Sequence, residues 1–210
     1  FESDRTAVID LSAGSQAFND LPAVRDTEPF TDWVFARIRK AGARVGVGRY
    51  DEARLAYVGK QYRLARDGFR ETRTIHIGID LFLDPGSPVF APLDGRVHSF
   101  SNNSQKYDYG PTLILEHKAG DGGESFFTLY GHLSLESLAG LKPGQPVRRG
   151  KRIARIGDAA VNGGWPPHLH FQIITDMFGR ERDFPGVAPP SDRELWLDLC
   201  PDPNLILGIP

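Results

Sequence analysis

His76-Ile77-Gly78-Ile79-Asp80-Leu81-Phe82 and His168-Leu169-His170-Phe171-Gln172-Ile173 decide how this chain is built. In both stretches polar and apolar positions alternate, the pattern of a strand whose two faces meet different surroundings. His76, Gly78 and Asp80 share one side of the first stretch, with Ile77, Ile79 and Leu81 on the other. In the second, His168, His170 and Gln172 share a side opposite Leu169, Phe171 and Ile173. Each strand therefore offers metal-ligating groups from one face while the other can build a core. Side by side, they bring three of these groups to one cation.

A catalytic zinc keeps three protein ligands and an open fourth position, whereas a structural zinc fills all four, usually with cysteines. Cys200 is the single cysteine. A cysteine-based structural site and an internal disulfide are thus excluded, and a reducing compartment is mildly favoured. The helical His-Glu-x-x-His signature, with its glutamate base, is absent. A His/Asp/His set with a water is the reading that remains. Proton transfer then falls to the spare histidine of the 168/170 pair and to His132 in Thr128-Leu129-Tyr130-Gly131-His132. His98 reads as solvated and His117 as architectural.

The 210 residues are 40% hydrophobic and 25% charged, an ordinary globular composition that argues against disorder. A net charge of -2 gives no electrostatic reason to expect nucleic acid as a partner. No run of eighteen apolar residues encodes a membrane span.

Three parts are expected: an N-terminal extension over 1–70 packed on the core, a central domain over 71–176, and a proline-rich extension or linker over 177–210. In the first, Val8–Leu11 predicts a short strand and Thr31–Gly42 a helix capped by Thr31, with Asp51–Tyr57 a second, shorter helix. No catalytic pattern is visible there. In the second, strands are expected near 89–91, 96–100, 113–117, 126–130 and 151–156, with Asp94-Gly95 as a tight turn between the first two. Short strands at this spacing predict a mainly β, antiparallel sandwich or barrel-like sheet with a small α-containing N-terminal extension.

Residues 73–175 resemble the M23 zinc metallopeptidases of lysostaphin and LytM type. The motifs stand in family order: His76-x-x-x-Asp80, Gly86-Ser-Pro-Val-Phe-Ala91, Asp94-Gly95-Arg-Val97, Tyr130-Gly-His132, Gly144-Gln-Pro-Val147, Gly150-Lys-Arg-Ile153 and His168-Leu-His170-Phe171. The resemblance implies a duplicated β core, one zinc held by His76, Asp80 and His170, and catalytic roles for His132 and His168. It also implies glycine- or D-alanine-containing peptides, as in peptidoglycan, as substrate. The stretch Asn162-Gly-Gly-Trp165-Pro-Pro167 departs from the family pattern, and its indole changes the cleft wall. Trp165 and Tyr109 are the candidate substrate-binding residues.

A wider resemblance covers nearly the whole chain. Arg73-Thr-Ile-His76, Asp108-Tyr-Gly-Pro111, Asn162-Gly-Gly-Trp165 and Asp183-Phe-Pro-Gly186 look like the middle segment of fused bacterial proteins, between a kinase-like domain and a class III aminotransferase domain. That context implies the cytoplasm; the ordinary family context implies the cell envelope. The rival to a peptidase is a non-hydrolytic zinc-binding scaffold or sensor within such a fusion. A phosphocarrier with paired histidines is the third reading, disfavoured by Asp80 in ligand spacing.

Overall fold

The alternation becomes strand pairing in the computed structural model, which describes residues 6–16, 26–57, 59–66, 68–120 and 123–210. In chain order the elements are β1 (Thr6–Val8), α1 (Thr27–Lys40), β2 (Val45–Gly48), β3 (Glu52–Ala53), β4 (Arg63–Arg66), β5 (Phe69–Thr72), β6 (Ile75–His76), β7 (Ile79–Phe82) and β8 (Pro88–Phe90). They continue with β9 (Gly95–Asn103), β10 (Gly110–Lys118), β11 (Ser125–Gly131), β12 (Pro146–Val147), β13 (Arg152–Arg155), β14 (His168–Ile174), β15 (Val187–Ala188), α2 (Arg193–Leu199) and α3 (Asn204–Leu207). The fold is mainly β. Eight strands form one sheet in the order β1-β2-β7-β14-β11-β10-β9-β12, antiparallel throughout except for β1 beside β2.

The two faces of this sheet have different partners. Ile79, Leu81, Leu113, Leu115, Leu169 and Phe171 point to one side and pack with Val89, Ala91, Ala154 and Ile156 around the β8–β13 pair. On the opposite side Phe82 joins Ile9, Leu11 and the α1 stripe Phe30, Val34 and Ile38. Each fully buried side chain of that stripe contributes about 1.5–3 kcal/mol. Farther along the same side, Ile114, Leu129 and Ile174 meet Ile77, Phe184, Ala188 and Cys200. The polar row of β7 and β14 lies on this second side, between the two apolar clusters, and the flanking segments cover it.

Register brings the ligand candidates together. β14 sits between β7 and β11, and pairs His170 opposite Asp80 and His168 opposite Phe82. On its other edge His170 faces Gly131, so His132 follows directly at the end of β11.

Several local expectations are corrected. The first stretch is not one strand: β6 joins the small sheet β15-β6-β3 and β7 the large one. The break falls at Ile77-Gly78, where Ile77 N–H donates to Gly186 O. Helix α1 begins at Thr27 rather than Thr31, whose hydroxyl instead donates to Thr27 O. Pro29 is tolerated there because a first-turn residue has no intrahelical acceptor for its N–H. Asp51–Tyr57 is not a helix. Asp51 takes φ 53°, β3 follows it, and Arg54 bridges to Ser12.

The early strand lies at Thr6–Val8, parallel to β2, and only Val8 of the expected Val8–Leu11 belongs to it. Asp94-Gly95 is a corner between sheets, since β8 pairs with β13 and β9 with β10 and β12. The sequence also reads Gly120-Asp-Gly-Gly123 as a turn, and this stretch lies partly outside the described residues. The proline-rich extension over 177–210 supplies β15, α2, α3 and the buried Phe184, Ala188 and Cys200.

Candidate metal centre and catalytic cleft

His76 Nε2, Asp80 Oδ1 and His170 Nδ1 form a triangle with sides of 3.2 Å, 3.1 Å and 3.0 Å. All three residues are buried. Tetrahedral zinc with bonds of about 2.0–2.1 Å separates neighbouring ligand atoms by about 3.3 Å, so the triangle fits a metal of that kind.

The hydrogen-bond partners of the two histidines assign their tautomers. His76 Nδ1 lies 2.9 Å from Arg49 O, an acceptor only, so Nδ1 carries the hydrogen and Nε2 is a lone pair. His170 Nε2 is 3.0 Å from Gln172 Oε1. The Gln172 amide is oriented by its Nε2, which donates to Pro185 O and Cys200 Sγ, and His170 Nδ1 is therefore a lone pair too. Two lone pairs and a carboxylate oxygen thus converge with no hydrogen among them. Only a cation or a proton relieves that arrangement, and a partner on each ligand's far nitrogen is the usual way of orienting metal-bound histidines.

Burial first, then the charge of Arg54, lowers the His76 pKa to about 4. Burial alone would raise Asp80, yet His76, Arg54 and His168 outweigh it and hold the carboxyl well below the usual range. His76 and Asp80 are therefore in their metal-binding protonation states at neutral pH.

His132 and His168 stand beside this triangle, their ring centroids 4.1 Å apart. His168 Nδ1 donates to Pro166 O at 2.6 Å and His132 Nδ1 to Asn162 O at 2.9 Å, so Nε2 is the basic nitrogen on each. His168 Nε2 lies 3.7 Å from Asp80 Oδ1. Burial is the leading cause that lowers both pKa values, that of His132 well below the ordinary range. His132 takes φ 62°, an uncommon conformation for a side chain of its size. Backbone bonds from His132 N to Tyr109 O and from Gly157 N to His132 O hold it there.

The 162–167 stretch that departs from the family pattern is the support for both. Asn162 Oδ1 accepts from Trp165 N at 3.0 Å, its Nδ2 donates to Trp165 O, and Thr27 Oγ1 donates to Gly164 O at 2.7 Å. Gly163 and Gly164 have φ of 86° and 83°, a sequence of left-handed residues that glycine adopts without strain. Trp165 is 8% exposed, packs near Tyr57 and Tyr107, and still lines the cavity over the site. Tyr109 lines it as well, its ring 5.6 Å from His132 and 5.2 Å from His170.

Outside the cleft, His117 bonds Asp94 O and Thr128 Oγ1 and is architectural. His98 is half-buried against Phe127 rather than fully solvated. Arg54 is the site residue that the sequence does not disclose. It is 3% exposed and donates to Asp80 Oδ2 at 2.6 Å and to Glu52 Oε2 at 2.7 Å. Gln172 had a signal, its place two residues after His170 on the same face.

The chain is 38% identical over 98 residues to an uncharacterized metalloprotease of Haemophilus influenzae, a match over 47% of this chain that spans only 18% of that protein. Among solved structures, the catalytic domain of the antimicrobial peptidase lysostaphin from Staphylococcus simulans aligns at 26% identity and TM-score 0.41, over 62% of this chain and 83% of that one. The catalytic domain of a prophage-encoded M23 protein of Enterococcus faecalis aligns at 21% identity and TM-score 0.40, over 60% and 90%. The model of peptidase family M23 matches residues 74–182, which contain His76, Asp80, His132, His168 and His170, and the chain belongs to that family.

Proposed function

We propose that the chain is a zinc-dependent hydrolase of peptide amide bonds, with His76, Asp80 and His170 as the ligands and His132 and His168 as the proton-handling residues. The convergence of two histidine lone pairs and a carboxylate oxygen, with no hydrogen between them, carries this reading. Zinc, when bound, supplies Lewis acidity and lowers the pKa of a coordinated water to about 7.

The protein's own contribution is positional and acid–base. His132 and His168 reach neutral pH as free bases, each with Nδ1 committed to a backbone carbonyl and Nε2 available for a proton. Depressed basicity makes the imidazolium a strong acid, so a proton taken from water is readily returned to the departing nitrogen. In the balance, water adds across the amide: a C–O bond forms, the C–N bond breaks, and one water hydrogen leaves on the amine. A scaffold that only held zinc would not need two further histidines oriented in this way.

Metal content of purified protein and hydrolysis of short glycine- and D-alanine-containing peptides test the proposal together. About one zinc per chain is expected, lost in Asp80→Ala and His170→Ala. His132→Ala and His168→Ala retain the metal and lose turnover by about 10²–10⁴-fold. Zinc retained in both ligand variants, or unchanged turnover in the histidine variants, would overturn it.

A further inference from the structure

The cleft opens into a cavity of about 160 Å³. Part of its wall comes from outside the family match, with Phe30, Tyr57 and Tyr62 on one side and Pro185 among the residues on the other. Most of the hydrogen-bonding groups in that wall are committed to the protein. Tyr62 OH donates to Tyr107 O, Arg54 serves Asp80, Glu52, Tyr57 and Arg49 O, and both catalytic histidines use Nδ1 on carbonyls.

Two are not. Arg73 Nε and the Tyr109 hydroxyl are buried without a hydrogen-bond partner, and both residues line the cavity. Leaving a buried donor unpaired costs its full desolvation, so such groups call for an explanation. Asp183 lines the same cavity and its carboxyl feels the charge of Arg73, but among the described residues the two are not within ion-pair distance. Arg73 is held from behind by its backbone N–H to Tyr62 O. Tyr109 is held by ring packing against His132 and His170, which puts its hydroxyl within a residue or two of the metal ligands.

A guanidinium and a phenol hydroxyl that line one cavity are complementary to a carboxylate, which has lone pairs for both. We propose that Arg73 and Tyr109 form a carboxylate subsite, and that the substrate is a short peptide presenting its free C-terminal carboxylate there. The proposal rests on the hydrolase reading above for the reaction but not for the binding. It makes the enzyme an exo-acting peptidase of short chains.

Binding and cleavage separate the two. Calorimetric titration of the purified protein with N-acetylated glycyl, L-alanyl and D-alanyl dipeptides, each against its C-terminal carboxamide, is expected to show at least one pair with a tenfold or greater preference for the carboxylate. Arg73→Gln should bring that ratio to within twofold. Tyr109→Phe, which removes a hydroxyl with no protein partner and so leaves the fold intact, should lower it severalfold. No preference in any pair overturns the subsite. So does a preference that survives Arg73→Gln, which would assign it to the metal. Equal cleavage of peptides with free and blocked C-termini sinks the exo-acting proposal while leaving the hydrolase standing. A carboxylate preference in a protein that cleaves nothing does the reverse.

Discussion

Arg54 Nη1 donates to Asp80 Oδ2 at 2.6 Å, while the other oxygen of that carboxylate, Oδ1, faces His76 and His170. One residue from outside the family match thus determines which oxygen of the aspartate is left for a metal. Arg54 also donates to Glu52, so two buried carboxylates share a single guanidinium. Burial opposes the charge of Arg54, but Tyr57, Asp80 and Glu52 outweigh it and raise its pKa.

Arg54→Met should therefore destabilise the metal-free protein by about 3–5 kcal/mol, the usual result of removing one partner from a buried ion pair. Zinc should recover more stability in the variant than in the wild type, because a cation replaces part of the lost charge between Glu52 and Asp80. Chemical denaturation with and without zinc checks this. Equal increments in both proteins would show that Arg54 acts by packing rather than charge.

Gly78 lies between two candidate ligands, and a Cβ there would stand 2.4 Å from His170 Cε1, 2.6 Å from its Nε2 and 2.9 Å from Phe171 O. Neither the backbone oxygen nor the ring, bonded at Nε2 to Gln172, can move aside without cost. Gly78→Ala is expected to weaken zinc binding by about 10–100-fold, the scale on which disturbed ligand orientation acts. Competition with a chromogenic chelator measures it, and wild-type affinity would show that His170 has another place to go.

The alternating stretches made the sheet and its polar face legible because period-2 patterning reports which side each residue takes, and β14 keeps that alternation from His168 to Ile174. The same rule misread residues 76–82 as one strand. Alternation continues through Gly78, and what divides β6 from β7 is a backbone bond to Gly186 more than a hundred residues away. Arg54 was illegible for a related reason. Its neighbours suggested a helical turn, and its role depends on Glu52, Asp80 and Tyr57 meeting it in space. Motif spacing disclosed three groups that converge, His76, Asp80 and His170, but not the partners that orient them.

Acid should destabilise the metal-free protein before the Asp80 carboxylate titrates. His76 has a pKa of about 4 in the fold, against about 6.5 in an unfolded chain. Between those values the unfolded chain binds a proton that the native one does not, so stability falls as pH drops through that window. At pH 5 this residue alone contributes about 2 kcal/mol of the loss relative to pH 7. His132 and His168 shift in the same direction, through burial first, and add to it. Asp80, held well below the usual range, titrates only beneath the window. Urea unfolding of chelator-treated protein at pH 7 and pH 5 is the measurement. A flat profile would mean that these histidines are not held neutral.

Trp165 bears on what can reach the metal. Its indole is buried with Phe30 and Phe82, its backbone is clamped by Asn162, and the next residue, Pro166, supplies the carbonyl that fixes the His168 tautomer. The wall it forms with Tyr57 and Tyr62 limits the cavity to about 160 Å³, well below the roughly 300–1,000 Å³ of pockets for larger ligands. Trp165→Ala should cost about 3–5 kcal/mol of stability, too much for the indole to be only a gate. The wild-type protein, by the same geometry, should hydrolyse short soluble peptides yet clear purified peptidoglycan sacculi weakly or not at all, because a crosslinked strand cannot thread a wall that is also part of the core. Turbidity of sacculi with and without a zinc chelator decides the matter: rapid, chelator-sensitive clearing would show that the wall yields and that a polymer enters the cleft.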